Sequence, residues 1–149
     1  MKIFLLLITL AAFLQSAFLP INLVLVLIVA RSLVIEDRDN LFIAFFGGLI
    51  LSFLTQSNIG YYSILFMLLV KLASMLRKLP VSFNLIMIFI SGVLLIGIAG
   101  ILNRFFAGQS FTFWPRLIEM ILVLPTYLLL RSWEDRFIAS SHTKLKIRA

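Results

Sequence analysis

The sequence predicts an all-α integral membrane fold of six transmembrane helices, with both ends in the cytoplasm. Three observations predict it. First, 62% of the 149 residues are hydrophobic and the mean hydropathy is +1.15. A soluble domain is typically about half apolar, so this chain has more apolar surface than a water-facing fold can bury. Second, charged residues make up 13% of the chain and gather at the breaks between apolar runs. Third, if six segments alternate sides and the N-terminus is inside, 11 basic residues fall inside, against Arg104 and Arg116 outside. Cytoplasmic loops carry such an excess of Lys and Arg. The same placement assigns the net charge of +7 to membrane orientation and argues against nucleic-acid binding, because no basic patch stands apart from the apolar segments.

The first segment, Met1–Leu19, has a basic start at Lys2 and a short apolar core, as a secretory signal does. Gln15 spoils the small-residue approach to a cut after Ala17, so the segment reads as a retained helix. Pro20-Ile21-Asn22 breaks it, since proline disfavours helical geometry in the residue before it and suits the first turn of a new helix. The second segment, Leu23–Ile35, is short for a span of about 20 residues. Arg31 within it is expected to snorkel towards Glu36 and Asp37.

Leu41–Thr55 is the third segment, followed by an uncharged turn at Gln56–Gly60. Tyr61–Leu76 is the fourth, closed by Arg77-Lys78-Leu79-Pro80. Val81–Leu102 is the fifth and longest. Its Gly92, Gly97 and Gly100 are small residues of the kind that let helices approach in lipid, and together they are expected to define a packing face. A loop is expected over Asn103–Thr112. Phe113–Leu130 is the sixth segment, with Trp114 and Trp133 near its ends as an aromatic belt would place them, and Pro125 inside it, where a kink is expected. Residues 1–132 thus form the transmembrane domain and 133–149 a basic cytoplasmic tail. Trp133, Phe137 and Ile138 would lie on one helical face of that tail, with Lys144, Lys146 and Arg148 drawn to anionic lipid.

Candidate chemistry is sparse. There are no cysteines, and the single histidine, His142, lies in the polar tail. No Ser–His–Asp set, phosphate-binding glycine loop or pair of carboxylates inside one cavity is expected, so neither catalysis nor a metal or other cofactor is expected. Glu119 is the one acid well inside an apolar segment, about 10 Å along the helix from Thr112. Intramembrane ionisable groups usually face a cavity or a partner. Pairing with Arg116, one turn away, is the local explanation, and a ligand or partner contact is the functional one. Arg116, Asn103 and Glu119 could together line an outer cavity.

Two stretches carry a family resemblance. Pro20-Ile-Asn22 opens a Leu/Val-rich helix, and Gly48-Leu-Ile-Leu-Ser52-Phe-Leu-Thr55-Gln56-Ser57-Asn58-Ile-Gly60 ends in a small polar turn. Together with the chain length and the six apolar segments, they resemble MreD, the bacterial rod shape-determining membrane protein. Ser52 stands where that family often has aspartate, and Asn58 where proline is common. The resemblance implies a non-enzymatic scaffold of the cell-elongation complex for peptidoglycan synthesis, in the bacterial cytoplasmic membrane. The implied partners are an MreC-like single-span protein and the wall-synthesis complex of RodA and its transpeptidase. It also implies a fold like that of the substrate-binding subunits of energy-coupling-factor transporters. That second likeness supplies the alternative, a solute-binding membrane subunit of a transporter.

Overall fold

In the computed structural model, residues 2–78, 84–108 and 112–146 are described. They form six α-helices: α1 (Lys2–Ala17), α2 (Leu23–Val34), α3 (Asp39–Leu54), α4 (Tyr61–Arg77), α5 (Leu85–Ala107) and α6 (Phe113–Lys146). Leu79, Pro80, Val81 and Arg148 lie outside the described residues.

The expectation of six membrane-spanning helices is overturned. Two helical stretches, Leu85–Phe106 and Phe113–Arg136, are long and apolar enough to cross a membrane, at 22 and 24 residues. Only 33% and 17% of their most apolar windows are buried inside the protein. Their outer faces therefore need an apolar surrounding, unlike the core helix of a water-soluble fold. The other four fall short on length. At a rise of about 1.5 Å per residue, the 12 residues of α2 reach about 18 Å, against a hydrocarbon core of about 30 Å. The 16 or 17 residues of α1, α3 and α4 reach about 24–26 Å. The sorting of the basic residues into 11 inside and two outside depended on six spans and falls with them.

Two boundaries also move. The loop expected at Asn103–Thr112 is helical as far as Ala107, and Asn103 is a buried residue inside α5. Gly108, in the left-handed conformation with φ +62, ends that helix. The tail expected over 133–149 is not separate from the sixth helix, since α6 runs on to Lys146. The side chains of Phe137, Ile138, Lys144 and Lys146 lie outside what is described.

α2 is the axis of the bundle and touches all five other helices. Its sequence, LVLVLIVARSLV, is apolar on every face, which is the pattern of a helix enclosed by others. Val24, Leu25, Val29 and Ala30 are sealed from solvent. The surrounding helices turn large apolar side chains outward as well, including Leu6 on α1, Phe53 on α3 and Ile64 on α4.

The tightest crossing is between α3 and α4. A Cβ added at Gly48 would stand 2.4 Å from the backbone of Ser63. Ser63 also donates its hydroxyl to the Phe45 carbonyl at 3.0 Å, which draws the two helices together. Gly92 packs against Val123 of α6, where an added Cβ would come within 2.5 Å of a methyl group. Gly100 is buried. Gly97, expected on the same packing face, is less tightly held: an added Cβ there meets only the Met120 methyl at 4.0 Å, an ordinary contact. Gly48→Ala is therefore expected to destabilise the detergent-solubilised protein by about 2 kcal/mol, and Gly97→Ala to leave it nearly unchanged. Thermal unfolding of the two variants side by side checks this, and equal melting points would contradict it.

Candidate polar site at the start of α2

The site begins with a problem of backbone chemistry. A helix leaves its first four N–H groups without internal acceptors, and the start of α2 sits between other helices, with Asn22 and Leu23 half-buried and Val24 and Leu25 buried. Each of its four N–H groups is satisfied. Asn22 N–H donates to Glu119 Oε1 at 2.8 Å. Leu23 N–H donates to the Ile21 carbonyl at 3.1 Å. Val24 N–H donates to Gln15 Oε1 at 3.1 Å. Leu25 N–H donates to Asn22 Oδ1 at 2.9 Å, the N-cap bond. Pro20 makes the turn that lets α1 and α2 fold back on one another, so that Gln15 reaches across nine residues to cap its neighbour.

Glu119 is the keystone. It is 2% exposed and arrives from α6, 97 residues away in sequence from the amide it accepts. Its second oxygen accepts a hydrogen bond from Arg116 Nη1 at 2.7 Å, a charge-assisted pair within one turn of α6. A carboxylate beside a helix N-terminus also gains from the helix dipole. The local explanation for Glu119 and the cross-helix explanation are therefore both present, one on each oxygen.

Around this pair lies a cavity of about 220 Å³, with Gln15, Asn22, Thr55, Asn103 and Thr112 among its walls. It sits at the end where α1, α3 and α5 finish and α2, α4 and α6 begin. Asn103, 2% exposed, accepts the Tyr61 hydroxyl through Oδ1 at 2.9 Å. Burial holds the Tyr61 hydroxyl above its ordinary pKa, with Tyr62 adding to the shift and Arg116 opposing it. It is thus a protonated donor at neutral pH.

The lining has a directional character. The oxygens of Glu119, Gln15, Asn22 and Asn103 all accept bonds from the protein. Among the described residues, the amide NH₂ groups of Gln15 and Asn22, and the rest of the Arg116 guanidinium, have no acceptor. The cavity therefore presents donors, and its complement is an acceptor such as water, a carbonyl or a carboxylate.

The other expected site residues fall in two groups. Gln56 and Asn58 are exposed on the α3–α4 turn. That turn contains two left-handed residues, Gln56 with φ +49 and Gly60 with φ +92. It is pinned by Thr55 Oγ1 donating to Leu51 O at 2.7 Å and by Ser57 N–H donating to Ser52 O at 3.2 Å. Ser52 is 1% exposed, and its hydroxyl has no partner among the described residues.

Arg31 lies at the opposite end of α2 and does not meet Glu119. It does not reach towards Glu36 and Asp37 either, because Asn40 of α3 intercepts it. Arg31 Nε donates to Asn40 Oδ1 at 2.9 Å, and Asn40 Nδ2 donates to the Ile35 carbonyl at 2.7 Å. Glu36 instead faces Lys78 at 3.5 Å.

Gln15 and Asn40 carry structural work that a reading of the sequence overlooks. Gln15 had a signal, a lone amide at the close of an apolar helix just before a proline. Asn40, in a charged turn, had none.

No protein-family model, no curated protein and no solved structure matches this chain.

Removing Glu119 strands both the Asn22 amide and the Arg116 charge. Glu119→Ala is expected to cost about 3 kcal/mol of stability. Arg116→Ala should then cost less in the Glu119→Ala background than alone, with a coupling of about 1 kcal/mol or more. A double-mutant cycle of unfolding in detergent checks this, and strictly additive losses would show that the pair carries no energy.

Proposed function

We propose that this chain is a non-enzymatic scaffold of the bacterial cell-elongation machinery. It would sit in the bacterial cytoplasmic membrane as a multi-pass protein, with α5 and α6 crossing, and bind an MreC-like single-span partner beside the RodA wall-synthesis complex. The support comes first from the two stretches that resemble MreD, Pro20–Asn22 and Gly48–Gly60. The observation that carries the reading is the form of the second stretch. The Gly48–Ser63 crossing and the bonds of Thr55 and Ser57 hold an uncharged turn rigidly. At its tip Ile59 is 83% exposed. A fixed apolar tip with neutral polar flanks suits recognition by another protein, since a pre-organised anchor loses little entropy on binding.

A second reading, a solute-binding subunit of a transporter, is favoured by the donor-lined cavity around Glu119 and Arg116. Its ligand would have to be rich in acceptors. Pockets of about 300 Å³ or more are usual for drug-sized ligands, so at about 220 Å³ the cavity suits a smaller one.

Pull-down from native membranes in mild detergent separates the two. Recovery of an MreC-like coiled-coil protein or a wall synthase is expected, and Ile59→Asp should reduce that recovery about tenfold or more at equal yield of the bait. Recovery of an ATPase pair with a coupling subunit would overturn the scaffold reading and establish the transporter one.

A further inference from the structure

We infer that the groove between α1, α2 and the C-terminal half of α6 is a binding site for one anionic phospholipid, with its phosphate at Arg31 and an acyl chain along Ile3, Leu7 and Leu130. The groove lies at the end of the bundle away from the Glu119 cavity and encloses about 170 Å³. Its floor and sides are Ile3, Phe4, Leu7, Val34 and Leu130, with Arg31 set among them and Trp133 and Glu134 at the α6 side.

The chemistry at Arg31 points to the occupant. Asn40 takes the Nε hydrogen, and the Phe4 ring lies under the guanidinium, 4.4 Å from carbon to ring centre. These two contacts fix the plane of the fork. A guanidinium has five N–H donors, and the four on the two Nη atoms have no acceptor among the described residues. No carboxylate of those residues lies within ion-pairing distance of Arg31. Glu134, which shares the groove, makes no such contact. A partly buried cation held in one orientation with both fork nitrogens free fits the bidentate recognition of a phosphate.

The apolar walls supply the second half of the ligand. Free phosphate would gain nothing from Ile3, Leu7 and Leu130, whereas an acyl chain lies against them. Leu130 and Trp133 belong to Phe113–Arg136, one of the stretches able to cross a membrane. Trp is enriched at the depth of lipid headgroups. The groove therefore opens where a phosphate and the first part of its acyl chain are both at hand. This assignment requires only that α6 be in a membrane and holds under either reading of function.

Trp133 makes the test direct. The chain has two tryptophans, so Trp114→Phe leaves Trp133 as the sole fluorophore. That variant would be placed in bilayers of mixed phosphatidylglycerol and phosphatidylcholine, with bromine on the acyl chains of one lipid or the other. Phosphatidylglycerol is expected to be enriched beside Trp133 by about fivefold, the factor that one basic residue confers near a surface. Arg31→Gln should abolish the enrichment, Arg31→Lys should keep most of it, and Glu134→Gln should raise it. Far-ultraviolet circular dichroism in the same bilayers verifies that each variant is folded. Equal quenching by the two lipids in the Arg31 protein would overturn the site. Enrichment that survives Arg31→Gln would also overturn it, assigning the preference to the basic segment beyond Trp133.

Discussion

The structure depends on how one buried helix end is satisfied. α2 is packed among its neighbours, and the amide groups at its start are partly or fully withdrawn from solvent. An unpaired buried amide costs roughly 1–3 kcal/mol, and four in one place would undo much of the stability of a domain this size. Side chains from α1, α2 and α6 meet the demand together, with Gln15, Asn22 and Glu119 each taking one amide. The polar cavity is a by-product of that arrangement. Gln15, Asn22 and Glu119 commit oxygens to the helix end, and together with Arg116 they line the space beside it.

The apolar surface has a different logic at each level. α5 and α6 are long enough to cross a bilayer. α1, α2, α3 and α4 are too short to do so alone, yet α1, α3 and α4 still turn residues such as Leu6, Phe53 and Ile64 outward. Glycine appears where backbones must touch. At Gly48 the neighbour is main chain, which cannot rotate away, so no larger residue fits. At Gly92 the obstacle is a valine methyl. At Gly97 nothing presses, and a small residue there is not a packing requirement.

Helix positions were legible in the sequence because apolar runs and their breaks are local. Pro20, the Gln56–Gly60 turn and the polar cluster at Glu36–Asn40 each mark a real boundary. Span number was not legible in the same way. An apolar run indicates a helix, but whether the helix crosses a bilayer depends on its length, and 12–17 residues fall short. The Asn103 boundary was misplaced because a polar residue inside a helix resembles a helix end until its partner, Tyr61, is known. In the polar site, Glu119 and Arg116 stood out as charges inside an apolar segment. The amide that Glu119 holds could not be foreseen, because it belongs to the backbone and carries no sequence signature. Arg31 was misdirected for a related reason. The nearby acids were visible in sequence, but a neutral asparagine with the right geometry takes the bond.

The 97 residues between Asn22 and Glu119 also impose an order of events. A ribosome adding about 5–20 residues per second needs about 5–20 s to make the stretch that separates the amide from its acceptor. Through that interval the start of α2 has Gln15 and Asn22 but lacks its carboxylate. The pairing of the central helix's first amide thus waits on the last helix. A chain that stops before α6 leaves that amide without its acceptor at the start of the helix that every other helix touches.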